Sequence, residues 1–150
     1  GGGDPAAWWY ATMSANMLNI PDSVATPIAY NTIAQTNGCN YNTTTYTATN
    51  IPNGVYMFRL QARIEDMNTG QWGAFALTAV GGYELTKHYR YNEPENSTSD
   101  LQNMSHTEVY VVTNGNGACY ASWTAGDPAD DNDIGTLGAY FSGIKVHDYP

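Results

Sequence analysis

The chain has 150 residues, enough for one domain with a single core and too few for a second domain of ordinary size. Five Lys and Arg stand against 14 Asp and Glu, a formal charge of −9, so the cations that neutralise phosphate are missing, which excludes nucleic acid and anionic membranes as partners. Charged residues are 13% of the chain, about half the roughly one quarter usual in soluble proteins, and Asn, Thr, Gly and Tyr fill the difference, which argues against a helical bundle.

Gly1-Gly2-Gly3-Asp4-Pro5 lacks the basic and apolar pattern of a signal sequence, and residues 1–8 are expected to lead into one domain over residues 9–150. Strands are predicted over Trp9 to Met17, Thr26 to Ala34 and Thr43 to Asn50, each punctuated by turn residues. Ile51-Pro52-Asn53-Gly54 supplies a turn into the clearest run of the chain, Val55 to Ile64. There Tyr56, Phe58, Leu60, Ala62 and Ile64 share one face, while Arg59, Gln61 and Arg63 share the other. One face is therefore core, and the other is wet or lies at an interface. Further strands are expected over Trp72 to Val80, Tyr83 to Tyr91, Glu108 to Thr113, Ala118 to Thr124 and Leu137 to Val146. Asn114-Gly115-Asn116-Gly117 suits a tight reversal, so Glu108 to Thr124 is expected to form one hairpin. Polar links are expected over Asn92 to Met104 and Gly126 to Gly135. Nine short strands joined by turns indicate a β-sandwich or jelly roll. No run of about 18 apolar residues occurs, so no membrane insertion is expected.

The sharpest charge feature is the loop holding Asp127, Asp130, Asp131 and Asp133. Four carboxylates this close are either solvated at a loop tip or bridged by a hard, oxygen-binding cation such as calcium. The order of acids and glycines does not match the helix-loop-helix calcium pattern, which favours the solvated reading. His88, His106 and His147 have no metal-ligand spacing, and edge or surface positions are expected for all three. Neither a nucleophile elbow nor a phosphate-cradling glycine loop occurs, and Glu93 and Glu95 around Pro94 read as a solvated turn, so no enzymatic activity is expected. Cys39 and Cys119 lack any C-x-x-C spacing, and both a single disulfide and two free thiols stay open.

Twelve Tyr, four Trp and three Phe are the more informative residues. Tyr and Trp join a large apolar area to a polar tip, which suits a core, a wet interface or a stacked sugar. Tyr56, Phe58, Tyr140 and Phe141 are expected in the core or at a subunit interface. Trp8, Trp9, Trp72, Tyr89 and Tyr91 are candidates for a ligand or interface surface.

Four segments taken together resemble one family: Thr26-Pro27-Ile28-Ala29-Tyr30-Asn31, Tyr46-Thr47-Ala48, Ile51-Pro52-Asn53-Gly54-Val55-Tyr56-Met57-Phe58, and Ala139-Tyr140-Phe141-Ser142-Gly143-Ile144. Their order and spacing resemble the globular head of complement component 1q, which shares its jelly roll with the tumour necrosis factor ligands. The resemblance implies an all-β jelly-roll sandwich of about ten antiparallel strands, a tight homotrimer, and a binding role in place of catalysis. Gly81-Gly82, between two predicted strands, departs from the family pattern. Such heads cap secreted stalks and viral or phage fibres, so the expected setting is extracellular or a virion surface, with a receptor or glycan as partner. Two other roles stay open: a secreted carbohydrate-binding module of a hydrolase, and a purely structural virion protein.

Overall fold

The strand with the cleanest alternation organises the molecule. In the computed structural model, which describes residues 7–67, 70–79, 83–91, 102–112, 117–126 and 132–148, that run extends over Gly54–Glu65. Tyr56, Phe58, Leu60, Ala62 and Ile64 are all fully buried, while Met57 and Arg59 on the opposite face are exposed. Among the described residues there are twelve strands and no helix: β1 (Trp8–Thr12), β2 (Met17–Ile20), β3 (Thr26–Pro27), β4 (Thr32–Asn37), β5 (Asn40–Asn42), β6 (Thr47–Ile51), β7 (Gly54–Glu65), β8 (Trp72–Ala79), β9 (Tyr83–Tyr91), β10 (Gln102–Val112), β11 (Gly117–Ala125) and β12 (Asn132–His147).

They form two antiparallel sheets packed as a jelly-roll sandwich. The first runs β10-β7-β12-β1-β4 with β2 also on β12, and the second runs β5-β6-β11-β8-β9 with β3 beside β11. The expected hairpin over residues 108–124 does not form, because β10 pairs with β7 in the first sheet and β11 pairs with β6 and β8 in the second. Asn-Gly pairs permit a reversal, but burial chooses the partner. β11 is largely buried and takes a central position, whereas β10 closes the edge of the other sheet. Gly81-Gly82 lies outside the described residues, between two strands that pair with each other from Ala79↔Tyr83 to Trp72↔Tyr91.

Other boundaries shift for local reasons. The run expected over Trp9 to Met17 breaks between Thr12 and Met17, and the one over Thr26 to Ala34 splits into β3 and β4. Asn42 accepts hydrogen bonds from the Thr44 and Thr45 N–H groups at 2.8 and 3.0 Å, which turns residues 43–46 out of strand geometry and delays β6 to Thr47. β10 begins at Gln102 and β12 at Asn132, so each expected polar link is shorter than its composition suggests.

The core is built on aromatic rings. Phe141 packs against Trp9, Tyr30 and Tyr41 with ring centroids 5.6, 5.7 and 6.4 Å away, and Phe58 packs against Trp9 and Tyr56 at 5.6 and 5.8 Å. Phe75 and Trp123 pair at 4.8 Å from the second sheet. Two of the phenols in this space find backbone acceptors, and the Tyr56 hydroxyl has none among the described residues: Tyr30 donates to the Gln61 carbonyl at 2.8 Å, and Tyr41 donates to the Tyr30 carbonyl at 2.7 Å. One polar cluster is buried beside them. Asn132 Oδ1 accepts from Trp123 Nε1 at 3.2 Å and from Gln71 Nε2 at 3.3 Å, and Asn132 Nδ2 donates to Gln71 Oε1 and the Asp66 carbonyl, both at 3.1 Å. These bonds hold the β7–β8 connection to the ends of β11 and β12.

Buried phenols make the fold sensitive to alkali. Burial pushes the Tyr56 hydroxyl up to about 12 from an ordinary 10.0 and raises Tyr30 and Tyr41 as well. Because the folded-state values lie above the unfolded ones, this stabilisation is complete below pH 10 and is lost as pH rises towards 12 and beyond. The melting temperature at fixed protein concentration is expected to fall between pH 10 and 12, with the last part of the tyrosinate absorbance at 295 nm appearing only as the chain unfolds. Ionisation of all twelve Tyr near pH 10 in a chain that stays folded would contradict this.

Candidate functional site

Once the core is assigned, each sheet leaves one outward face, and strand register fixes which residues share it. On the first sheet Val109, Met57, Ile144 and Trp8 are successive cross-strand partners over β10, β7, β12 and β1. This apolar row crosses four strands with Val109 at 52%, Met57 at 36% and Ile144 at 45% exposure. Beside it Tyr10, itself exposed, stacks on Tyr140 with centroids 5.3 Å apart and planes 13° from parallel. Trp8, Tyr10, Met57, Arg59, Tyr140 and Ile144 surround a shallow hollow of about 500 Å³. An aliphatic and aromatic patch continuous over several strands is the mark of a protein interface, since single exposed hydrophobics are ordinary and contiguous ones are not.

The second sheet presents different chemistry. Its outward rows, read across β11, β8 and β9, are Thr124, Ala74 and Tyr89; Ser122, Ala76 and Lys87; and Tyr120, Thr78 and Glu84. Trp72 faces Tyr91 across β8 and β9, its indole lies over Gly126, where a Cβ would come within 2.1 Å of the ring, and its centroid is 6.0 Å from that of Tyr89. Tyr89 and Tyr91 are exposed, and Lys87 Nζ sits 5.2 Å above the Tyr89 ring.

No family model and no curated protein sequence matches the chain. Solved structures do. An Eiger TNF from S. frugiperda superposes with a TM-score of 0.68 at 11% identity, covering 97% of this chain and 94% of that one. Murine APRIL gives 0.64 at 11% identity at pH 8.0 and 0.65 at 10% at pH 5.0, each covering 95% of this chain and all of the other. The chain has a tumour necrosis factor-like jelly-roll fold.

Within this tumour necrosis factor-like fold the residues singled out from sequence separate into three places. Trp9, expected on a ligand surface, is fully buried: its ring lies across Gly143, its direct partner on β12, where the absence of a side chain leaves room for the indole. Tyr56, Phe58 and Phe141 are in the core with it, whereas Tyr140 points outward, half-buried, onto Tyr10. Trp8 is on the first sheet, and Trp72, Tyr89 and Tyr91 come together on the second, so the five ligand candidates do not form one surface. Sequence reasoning missed Tyr10, Met57, Val109 and Ile144. Their signal is apolar side chains in the outward phase of strands whose inward phase is already apolar.

Asp127, Asp130 and Asp131 lie outside the described residues. Asp133 belongs to β12, where its carboxylate accepts the Asn19 N–H at 2.9 Å. Among the described residues no three His, Cys, Asp or Glu side chains converge as a metal site, and no helix is long and apolar enough to cross a membrane. His88 on β9 and His147 at the end of β12 are exposed on different sheets. Cys39 and Cys119 are free thiols, and burial raises both above the ordinary thiol range, which favours their protonated forms.

Proposed function

We propose that the chain is a non-enzymatic head domain that assembles as a homotrimer through the outward face of the first sheet and binds a receptor or other surface component. The observation that carries this reading is the row Val109, Met57, Ile144 and Trp8, with the Tyr10–Tyr140 stack beside it. Left in water, that row exposes hydrophobic area that packing against a neighbour removes at roughly 25 cal/mol per Å². A three-fold arrangement closes on itself and leaves no copy of the patch uncovered. The tumour necrosis factor-like fold and the scarcity of charge support a display role outside cells or on a particle or fibre surface.

The test is mass in solution. Light scattering is expected to give three times 16.3 kDa, and Ile144→Asp or Met57→Glu is expected to reduce it to a single chain, because each places carboxylates into a desolvated contact. Both positions are solvent-exposed in the protomer, so circular dichroism should be unchanged. A wild-type mass of one chain would remove the trimer.

A further inference from the structure

We propose that Arg59 anchors the contact between copies of the chain, its guanidinium binding a carboxylate that a second copy supplies. This deepens the reading of the outward face of the first sheet as the assembly surface, and it rests on that reading.

Arg59 stands where that face changes character. In register it lies between Thr107 of β10 and Ser142 of β12, and Tyr10 of β1 follows beyond Ser142. On one side is the apolar row through Met57; on the other is a polar row of Ser105, Gln61 and Tyr140. Arg59 is exposed and helps to line the hollow between Trp8, Tyr10, Met57, Tyr140 and Ile144.

No acid belongs to these three rows, whose only other ionisable side chains are the Tyr10 and Tyr140 phenols. His106 and Glu108 flank Thr107 in β10, but they are the register partners of the inward-facing Leu60 and Phe58. The first acids farther along the face are Glu65 and Asp133, and both are engaged: Glu65 lies 4.0 Å from Arg63 Nε, and Asp133 accepts the Asn19 N–H. The other cations of the first sheet each have an acid, Glu65 for Arg63 and Asp148 for Lys145. Arg59 is thus the one Lys or Arg of this sheet with no carboxylate within 4.0 Å among the described residues.

In a single chain water solvates the guanidinium. Covering the hollow removes that water, and a desolvated cation without a counter-charge strongly opposes association. A second copy brings what the hollow lacks, because a net charge of −9 leaves every copy with an excess of carboxylates. The planar guanidinium fork matches a carboxylate with two parallel hydrogen bonds. An apolar row accepts many apolar neighbours in many alignments. One ion pair set beside it accepts a single alignment, which gives chains that repel one another overall a defined register.

Light scattering over a dilution series would compare the wild type with Arg59→Met and Arg59→Lys at neutral pH. Arg59→Met leaves the neighbour's carboxylate desolvated and unpaired, so the concentration at which the assembly dissociates is expected to rise roughly tenfold or more. Arg59→Lys keeps the charge and is expected to lose less. The position is exposed in the protomer, so circular dichroism should be unchanged in both. The lysine variant also allows the pair to be trapped, because a carbodiimide joins an amine to a touching carboxylate and leaves a guanidinium untouched. Mass spectrometry on mixed isotope-labelled and unlabelled chains is expected to find residue 59 coupled to an Asp or Glu of another copy. Arg59→Met protein that assembles as tightly as the wild type overturns the pair, as does assembled Arg59→Lys protein in which residue 59 couples to no acid or only within its own chain. Either result with a wild-type trimer sinks only this inference. A wild type that stays a single chain removes the assembly and the pair with it.

Discussion

Asn132→Leu is expected to cost about 4 kcal/mol of folding stability, because it removes the hydrogen bonds that one buried side chain makes to several polar groups at once. Trp123 Nε1 and both amide atoms of Gln71 bond to Asn132, and each buried group that loses a hydrogen bond carries a cost of about 1–3 kcal/mol. Leucine has as many side-chain heavy atoms as asparagine and is the bulkier of the two, so cavity formation is not the cause. Gln71 and Asn132 are both fully buried, and their mutual bonds make the two substitutions non-additive: Asn132→Leu with Gln71→Leu should cost less than the two single losses together. Urea unfolding at fixed protein concentration reads all four corners of the cycle. A single-substitution loss below about 1 kcal/mol, or strict additivity, would mean that water already satisfies these groups.

That cluster is also where the amino-acid order was hardest to read. Asp130-Asp131-Asn132-Asp133 has the composition of a solvated loop, yet Asn132 is fully buried and opens a 16-residue strand. Composition reports how polar a segment is; it does not report that Gln71, 61 positions away, brings a matching amide to the same place. By contrast β7 was legible because period-two alternation over ten residues leaves only one face that can be core. The jelly roll itself followed from many short alternating runs, whereas partner choice did not. A turn signal such as Asn114-Gly115 describes backbone freedom and is silent about which sheet each flanking strand joins.

The binding surfaces were half legible for a related reason. Aromatic content pointed to exposed Trp and Tyr, but a one-residue change of phase sends every side chain of a strand to the opposite face. Trp8-Trp9-Tyr10 offers large rings in both phases, and nothing local selects between them. Selection comes from β12: Gly143 faces Trp9 while Ile144 faces Trp8, so the indole with a glycine opposite goes inward and its neighbour stays outside. Once that phase is set, Tyr10 must point outward onto Tyr140, and the apolar row of the first sheet follows. On β9 a register shift between Leu77 and Thr78 resets the phase, turning Leu85 towards the core and placing Lys87, Tyr89 and Tyr91 together outside.

Gly143→Ala therefore tests the step on which the outward face depends, and it is expected to destabilise the protein by about 3 kcal/mol, the upper part of the usual range for overpacking. A Cβ at this position would come within 2.2 Å of Trp9 Cη2 and within 2.6 Å of two further ring carbons, distances at which something must move. Trp9 has little freedom to move, being fully buried and held between Phe58 and Phe141. A loss of this size corresponds to a melting temperature lower by about 10 °C for a chain of this length. Replacing the indole by a smaller ring should relieve the clash, so adding Trp9→Phe to Gly143→Ala is expected to recover part of the loss, although Trp9→Phe alone leaves a void and is destabilising. If the clash instead pushes β1 out of phase, the Tyr10–Tyr140 stack is lost and assembly fails together with stability. Partial recovery of both melting temperature and assembled mass in the double variant would show that one glycine sets the core packing of Trp9 and the orientation of the apolar row. An alanine variant as stable and as fully assembled as the wild type would refute that coupling.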